Sequence, residues 1–348
     1  MSINEPLQAF FSSIGVSVDD QHHSQIDNSP DPNPVQPADN LIAPLTHYGL
    51  LAVNGPDSAK FLQGQTTCNL NEIDDHNSRP GSYCTPKGRM VTSFHIARSD
   101  SEHYYLRMHR SLVASSKAVL AKYIVFSNAE QTIANNDYLI VGIYGDKAAA
   151  SISQSFGTRP TNLNGSVTSG GNIAIQRDEA SKCYECWIQS TEIATLWPKL
   201  SEGLILQGSK TWELLMIRSG QGEVTEATVE MFIPQMLNYH ITGAVNFTKG
   251  CYTGQEIVAR MQYRGKLKRR MYRIQVETTA LGPGTNLYTP DREQSVGNIV
   301  NAVSTGESLT EALAVITIKE ADANSLIQLN DGSPIQILSL PYAITNND

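Results

Sequence analysis

The feature that most limits the fold is a change of texture near residue 268. Before it, strand-like and helix-like runs mix without the strict strand–helix–strand alternation of a parallel sheet, which points to an α+β body. Leu50–Val53 reads as a strand, and Gly55-Pro56 opens a short helix that ends near Gly64, with proline in its first turn. Ser82–Thr85 and Met90–Ala97 read as strands around the turn Pro86-Lys87-Gly88-Arg89, and His103–Met108 as another. Leu112, Val113, Val119, Leu120 and Tyr123 keep a 3.6-residue stripe, so 111–124 is expected to be helical. A strand at Tyr138–Tyr144, a helix at 146–155, strands at 172–177 and 183–189, and helices at 191–203 and 209–218 follow. After residue 268, β-rich runs at 271–277, 294–303, 312–319 and 334–340 alternate with Gly, Pro, Asn and Asp turns. That pattern predicts a small antiparallel β-barrel.

The division expected is an N-terminal extension and flexible linker over 1–40, a body over 41–267 and the barrel over 268–348. Residues 17–40 are rich in Asp, Asn, Gln, Pro and Ser and read as a linker, with His22 and His23 solvated. The apolar piece before them (Leu7, Phe10, Phe11, Ile14) is long enough to dock as a turn or two of helix.

A net charge of −8 and a pI near 5.5 exclude a chain-wide electrostatic grip on nucleic acid or anionic lipid, so any such contact needs a local patch. No apolar run approaches a membrane span, and Met1–Glu5 lacks the basic and apolar regions of a signal peptide, so the expected setting is cytoplasmic. The five cysteines (Cys68, Cys84, Cys183, Cys186, Cys251) fit reduced thiols better than a disulfide framework. The absence of a strong apolar surface stripe suggests a monomer.

The segment richest in chemistry is Lys249-Gly250-Cys251-Tyr252-Thr253-Gly254-Gln255-Glu256. Thr253-x-x-Glu256 has the form of a capping box ahead of Ile257, Val258 and Met261, so a helix should start here. Cys251 would then precede a helix N-terminus, with Lys249 nearby. A helix dipole and an ammonium both favour a thiolate. Gly250 and Gly254 would allow close backbone approach. The alternative is a structural cysteine buried in a tight turn.

This octet resembles the K-G-C-Y-x-G-Q-E signature of the YgfZ family. Three further stretches agree in order: Gly55–Thr66, Tyr83-Cys-Thr-Pro-Lys-Gly-Arg89 and Phe232-Ile-Pro-Gln235. The resemblance covers about residues 41–345 and implies an aminomethyltransferase-like multidomain fold, its body two intertwined subdomains around an opening that takes tetrahydrofolate. It further implies a role in maintaining iron–sulfur proteins, including those that thiolate tRNA, with Cys251 and Lys249 as the working pair. By position Tyr48 and Trp212 match the family's aromatic folate contacts.

Two departures speak against aminomethyl transfer. The related transferases carry an Asp on the strand after the Gly-containing turn, where this chain has Thr92 and Ser93. Neutral hydroxyls replace a carboxylate poorly in proton exchange at neutral pH. Those enzymes also carry a Glu where this chain has Arg218. Asp57, Asp74 and Asp75 remain candidate acids for the rival reading, a folate-dependent one-carbon transferase or demethylase.

Arg260, Arg264, Lys266, Lys268, Arg269 and Arg270 form a basic run without an acid. It suits a folate polyglutamate tail or tRNA phosphates, or it is simply a solvated face. No aromatic-interleaved RNA-reading motif accompanies it. A third reading is therefore a folate sensor that contacts RNA or a protein through this run, without thiol chemistry. Cys183-x-x-Cys186 lies in a strand-like run, where residues three apart face opposite sides, so it does not read as a metal pair.

Overall fold

The period of two in the strand sequences separates the cores. In Tyr138–Tyr144, Leu139, Val141 and Ile143 enter one core and Ile140 enters another. In Cys183–Gln189, Cys183 and Trp187 join the inner core while Tyr184, Cys186 and Ile188 join the outer one. The two cysteines thus face opposite sides, as strand geometry requires. The computed structural model, which describes residues 3–27, 40–306 and 308–344, arranges such strands into three sheets and a small hairpin.

The first sheet is antiparallel, in the order Arg79–Cys84, Met90–Arg98, His103–His109, Tyr48–Asn54, Glu130–Ile133. The second runs Ser166–Ser169, Asn172–Gln176, Cys183–Gln189, Tyr138–Tyr144, Leu41–Pro44, Ile205–Leu206, with only the last pairing parallel. Leu41–Pro44 enters the second sheet before Tyr48–Asn54 enters the first, so the chain weaves between them.

The third sheet runs Asn286–Leu287, Gly297–Ser304, Thr310–Thr317, Arg269–Val276, Ile335–Leu338, all antiparallel. It is not the closed barrel expected. Its edge strands do not pair with each other, and only single-residue bridges from Gln328 reach Tyr288 beside one edge and Pro334 beside the other.

The linker expected over 17–40 is also corrected. Val16–Val18 pairs with Ser24–Ile26 in a hairpin. Ser24 and Ser209 exchange hydrogen bonds of 3.1 and 3.0 Å, and Ser24 Oγ donates to the Pro44 carbonyl at 2.5 Å. The polar composition hid short apolar anchors: Val16 is buried, and Val18 and Ile26 pack against the outer core. Residues 28–39 of that stretch lie outside the described residues. Ahead of the hairpin, Glu5–Ser13 is helical and buries Leu7, Phe10 and Phe11, with Phe10 edge-on to Trp197.

The helix Ser209–Arg218 packs against strands of both the second and the third sheets. Trp212 on this helix lies over Gly142, where a Cβ would come within 2.3 Å of its ring. At the helix's C-terminal end Arg218 pairs with Glu311 at 2.7 Å, and Arg273 joins the same carboxylate at 2.8 Å. No helix among the described residues is long and apolar enough to cross a membrane.

Candidate functional site

The centre of the body is a buried charge network. Arg107 lies on the His103–His109 strand and is 1% exposed. It binds Glu185 with two hydrogen bonds of 2.9 and 3.1 Å and also binds Glu223. Trp187 Nε1 donates to Glu185 at 2.7 Å, and the Arg107 guanidinium lies 4.0 Å above the Tyr48 ring. Burial alone would raise the pKa of Glu223. The Arg107 charge and the hydrogen bonds from Arg107 and Tyr48 outweigh it and hold the carboxyl below its usual value. Two carboxylates facing Arg107 and the nearby Arg177 leave the network close to neutral, which is how buried charges are tolerated.

A cavity of about 540 Å³ opens on this network, within the size range of small-molecule sites. Its walls include Ser93, Phe94, Arg177, Gln221, Glu223 and Tyr239. Arg177 donates to Gln221 at 2.7 Å and contacts His95, while its Nε has no hydrogen-bond partner among the described residues. His95 is pushed well below its usual pKa by burial and by Arg177 and Arg107, so it is neutral. Its Nε2 meets Ser78 Oγ at 2.8 Å. Aromatic and apolar surface beside a cation, an amide and a carboxylate suits a pterin with an anionic tail.

Tyr48 faces a second cavity of about 660 Å³. This cavity shares Gln221 and Glu223 with the first and adds His23, His47, His109 and Glu213. His23, expected to be solvated, is docked there and meets Glu213 at 3.1 Å. Trp212, which the resemblance makes a folate contact, is fully buried against Gly142 and lines neither cavity. Tyr48 is 3% exposed, held between Arg107 and His47.

The signature loop differs from its expected form in two ways. The helix is Gln255–Arg264, and its N-cap is Gly254 at φ +85°, with no side-chain cap. The Thr253–Glu256 capping box is not formed; Thr253 Oγ1 instead meets Gln65 Oε1 at 3.3 Å and Glu256 is exposed. Gly254 is needed because a Cβ would sit 2.5 Å from the Thr85 carbonyl oxygen, in a backbone region few side chains adopt. Among the described residues, and its chain neighbours aside, no atom lies within 4 Å of the position a Cβ on Gly250 would take.

Lys249 points inward rather than toward the thiol. Its ammonium donates to the carbonyls of Gln63, Thr66 and Cys68 at 2.8, 2.6 and 2.7 Å, and it lies 5.2 Å from the Tyr252 ring centroid. Burial pulls its pKa down to about 8, while the three carbonyls favour the charged form. Asn246 completes the clamp, accepting from Lys249 N at 2.8 Å and donating to Glu72 at 2.8 Å. Cys251 is exposed, whereas Cys68, Cys84, Cys183 and Cys186 are buried. Burial raises the Cys84 thiol to about 12 and raises Cys68 and Cys183 as well. Cys251 lines neither cavity.

Thr92 and Ser93 hold the strand positions where the resemblance would place an acid, and Ser93 Oγ accepts from Val224 N at 2.8 Å. The carboxylates at the centre are Glu185 and Glu223 instead. Asp57, Asp74 and Asp75 are spent elsewhere: Asp57 accepts from Asn128 N at 2.8 Å, Asp74 from His76 N at 2.8 Å, and Asp75 pairs with Arg98 at 3.0 Å. Glu185 had a signal in the sequence, an acid on the same strand face as Cys183 and Trp187. Arg107, Arg177 and Glu223 had none that singles them out. In the basic run, Arg260, Arg264, Lys266 and Lys268 are exposed, and Arg269 donates to the Ser295 carbonyl at 3.1 Å.

No family model matches the chain. It is 32% identical over 241 residues to the tRNA-modifying protein YgfZ of Colwellia psychrerythraea, covering 69% of this chain and 73% of that protein. It is 28% identical over 325 residues to the tRNA-modifying protein YgfZ of Klebsiella pneumoniae, covering 89% and 97%. Among solved structures, the glycine cleavage system aminomethyltransferase T from Bartonella henselae superposes with a TM-score of 0.75 over 98% of each chain at 14% identity, so the fold is aminomethyltransferase-like. With those relatives and the Lys249–Glu256 octet, the chain belongs to the YgfZ family.

Proposed function

We propose that this protein is a folate-binding factor that supports iron–sulfur proteins and, through them, tRNA modification, with the Cys251 thiol as its working group. The observation that carries the reading is the contrast among the five cysteines: four are buried and the signature cysteine alone is exposed. A thiol that exchanges with a sulfur, iron or thiol partner must be reachable. The relatives named tRNA-modifying proteins supply the process.

Tetrahydrofolate or a derivative would occupy the central cavity. The Arg177 guanidinium, whose Nε makes no hydrogen bond among the described residues and lies 3.9 Å from a Glu185 oxygen, would take an acceptor of the ligand, Gln221 and Glu223 would meet pterin donors and acceptors, and Phe94 and Tyr239 would supply flat surface. Tyr48 would act from behind, by holding Arg107. When bound, the folate offers ring nitrogens able to carry a one-carbon unit. Glu185 and Glu223 are both tied to Arg107, which suits binding better than proton transfer and disfavours the one-carbon transferase reading.

Calorimetry with 5-formyltetrahydrofolate tests the ligand. One site per chain is expected, with Arg177→Gln weakening it at least tenfold. Heat of dilution alone for a folded wild type would remove folate from the account.

A further inference from the structure

The basic run contains an aromatic that the structure turns outward. On the helix Gln255–Arg264, Arg260, Tyr263 and Arg264 fall three and four residues apart, and Tyr263 is 69% exposed. Such spacing puts them on one helix face. Lys266 and Lys268 follow, both exposed. The Pro86-Lys87-Gly88 turn is seated against the same helix: a Cβ on Gly88 would lie 2.9 Å from the Ile257 side chain, and Lys87 is exposed. Glu256 is the exposed acid of this helix. Among the described residues, Lys87, Arg260, Arg264, Lys266 and Lys268 have no acidic partner.

The signature loop belongs to this surface. Phe247, just before it, packs edge-on to Tyr263 with ring centroids 6.1 Å apart. Gly254, at its end, abuts the carbonyl of Thr85, where the Lys87 turn begins. The exposed Cys251 lies between these two contacts in the chain and lines neither cavity. The loop that carries the thiol is therefore anchored at both ends to the face that bears the cations and Tyr263.

In a chain of net charge −8, this is a local field for a polyanion. A solvent-facing ring among cations is also the usual means of gripping unpaired nucleotides, with phosphates on the cations and a base on the ring. We infer that this face docks RNA directly, with an unpaired base stacked on Tyr263 and flanking phosphates on Lys87, Arg260, Arg264, Lys266 and Lys268. The inference rests on the tRNA reading above and adds that the protein itself touches the RNA.

The test is binding of an unmodified tRNA transcript, followed by anisotropy across a salt series. With about four phosphates neutralised, log K should fall with log salt at a slope of about −3. Arg260→Glu with Arg264→Glu should weaken binding at least tenfold and flatten the slope by about 1.5. Tyr263→Ala should weaken it by about tenfold with the slope unchanged. All three positions are exposed, and matched melting curves check that the variants fold. Equal binding of tRNA by wild type and the double variant, or no effect of Tyr263→Ala, would overturn the inference. So would a double variant that fails in cells while neither protein binds tRNA, which would point to an acidic protein partner. If the wild type works in cells with no RNA affinity, the docking inference falls and the functional reading stands.

Discussion

Lys249 is the residue on which sequence and structure disagree most usefully. Beside a thiol, its ammonium would serve reactivity. In the fold it fills a socket of three carbonyls and clamps the signature loop onto residues 63–68. Lys249→Met keeps the stem and removes the donors. Thr66 and Cys68 are 0% and 1% exposed, so their carbonyls have no ready access to water. Each buried acceptor left alone costs about 1–3 kcal/mol. The half-buried Gln63 carbonyl adds little, and relief of the ammonium's desolvation returns about 1 kcal/mol. The net loss is about 3 kcal/mol. With a urea dependence of about 3 kcal/mol per molar for a chain of this size, the unfolding midpoint should fall by about 1 M. A midpoint unchanged from wild type, with function lost, would refute the clamp and return Lys249 to the thiol.

The two glycines of the octet should separate sharply. Gly254→Ala forces a left-handed backbone and a 2.5 Å contact with Thr85, so a loss of about 2 kcal/mol or more is expected in the same urea assay. Gly250→Ala meets open space and should stay within about 0.5 kcal/mol of wild type. Arg107→Met strands Glu185 and Glu223 and should cost about 3–5 kcal/mol at neutral pH, read by thermal melting. Because Glu223 is held below its unfolded pKa, the unfolded chain binds more protons between the two values. Its contribution is present above the ordinary carboxylate range and lost as pH falls through the folded value, and Arg107→Met should erase that acid limb. With a chromogenic disulfide reagent, native protein should show one fast thiol and denatured protein five, and Cys251→Ser should remove the fast one.

The strands of the body could be read from alternation alone: Tyr138–Tyr144 and Cys183–Gln189 fall where their apolar pattern puts them. Elements two to four residues long could not. The hairpin of Val16–Val18 and Ser24–Ile26 is held by bonds to Ser209 and Pro44, and nothing local signals them. Turn spacing counts the strands of the C-terminal sheet without saying whether its edges meet, so it implies a barrel where the sheet stays open. The octet points to a reactive thiol, but not to where Lys249 turns, since its direction depends on carbonyls 181 and 183 residues away. Residues 107, 177, 185 and 223 come from four separate segments, and only packing brings them together. Tyr263 stood inside the basic run, yet its exposure is set by the helix register.

The most direct test of the central claim is complementation of a bacterium that lacks its own family member, with wild type and Cys251→Ala at equal protein level. The readouts are tRNA thiolation and the activity of an iron–sulfur enzyme. Restoration of both by wild type and of neither by the alanine variant is the result this account predicts. Equal restoration by the two proteins would contradict it, making Cys251 dispensable and leaving a folate sensor in its place.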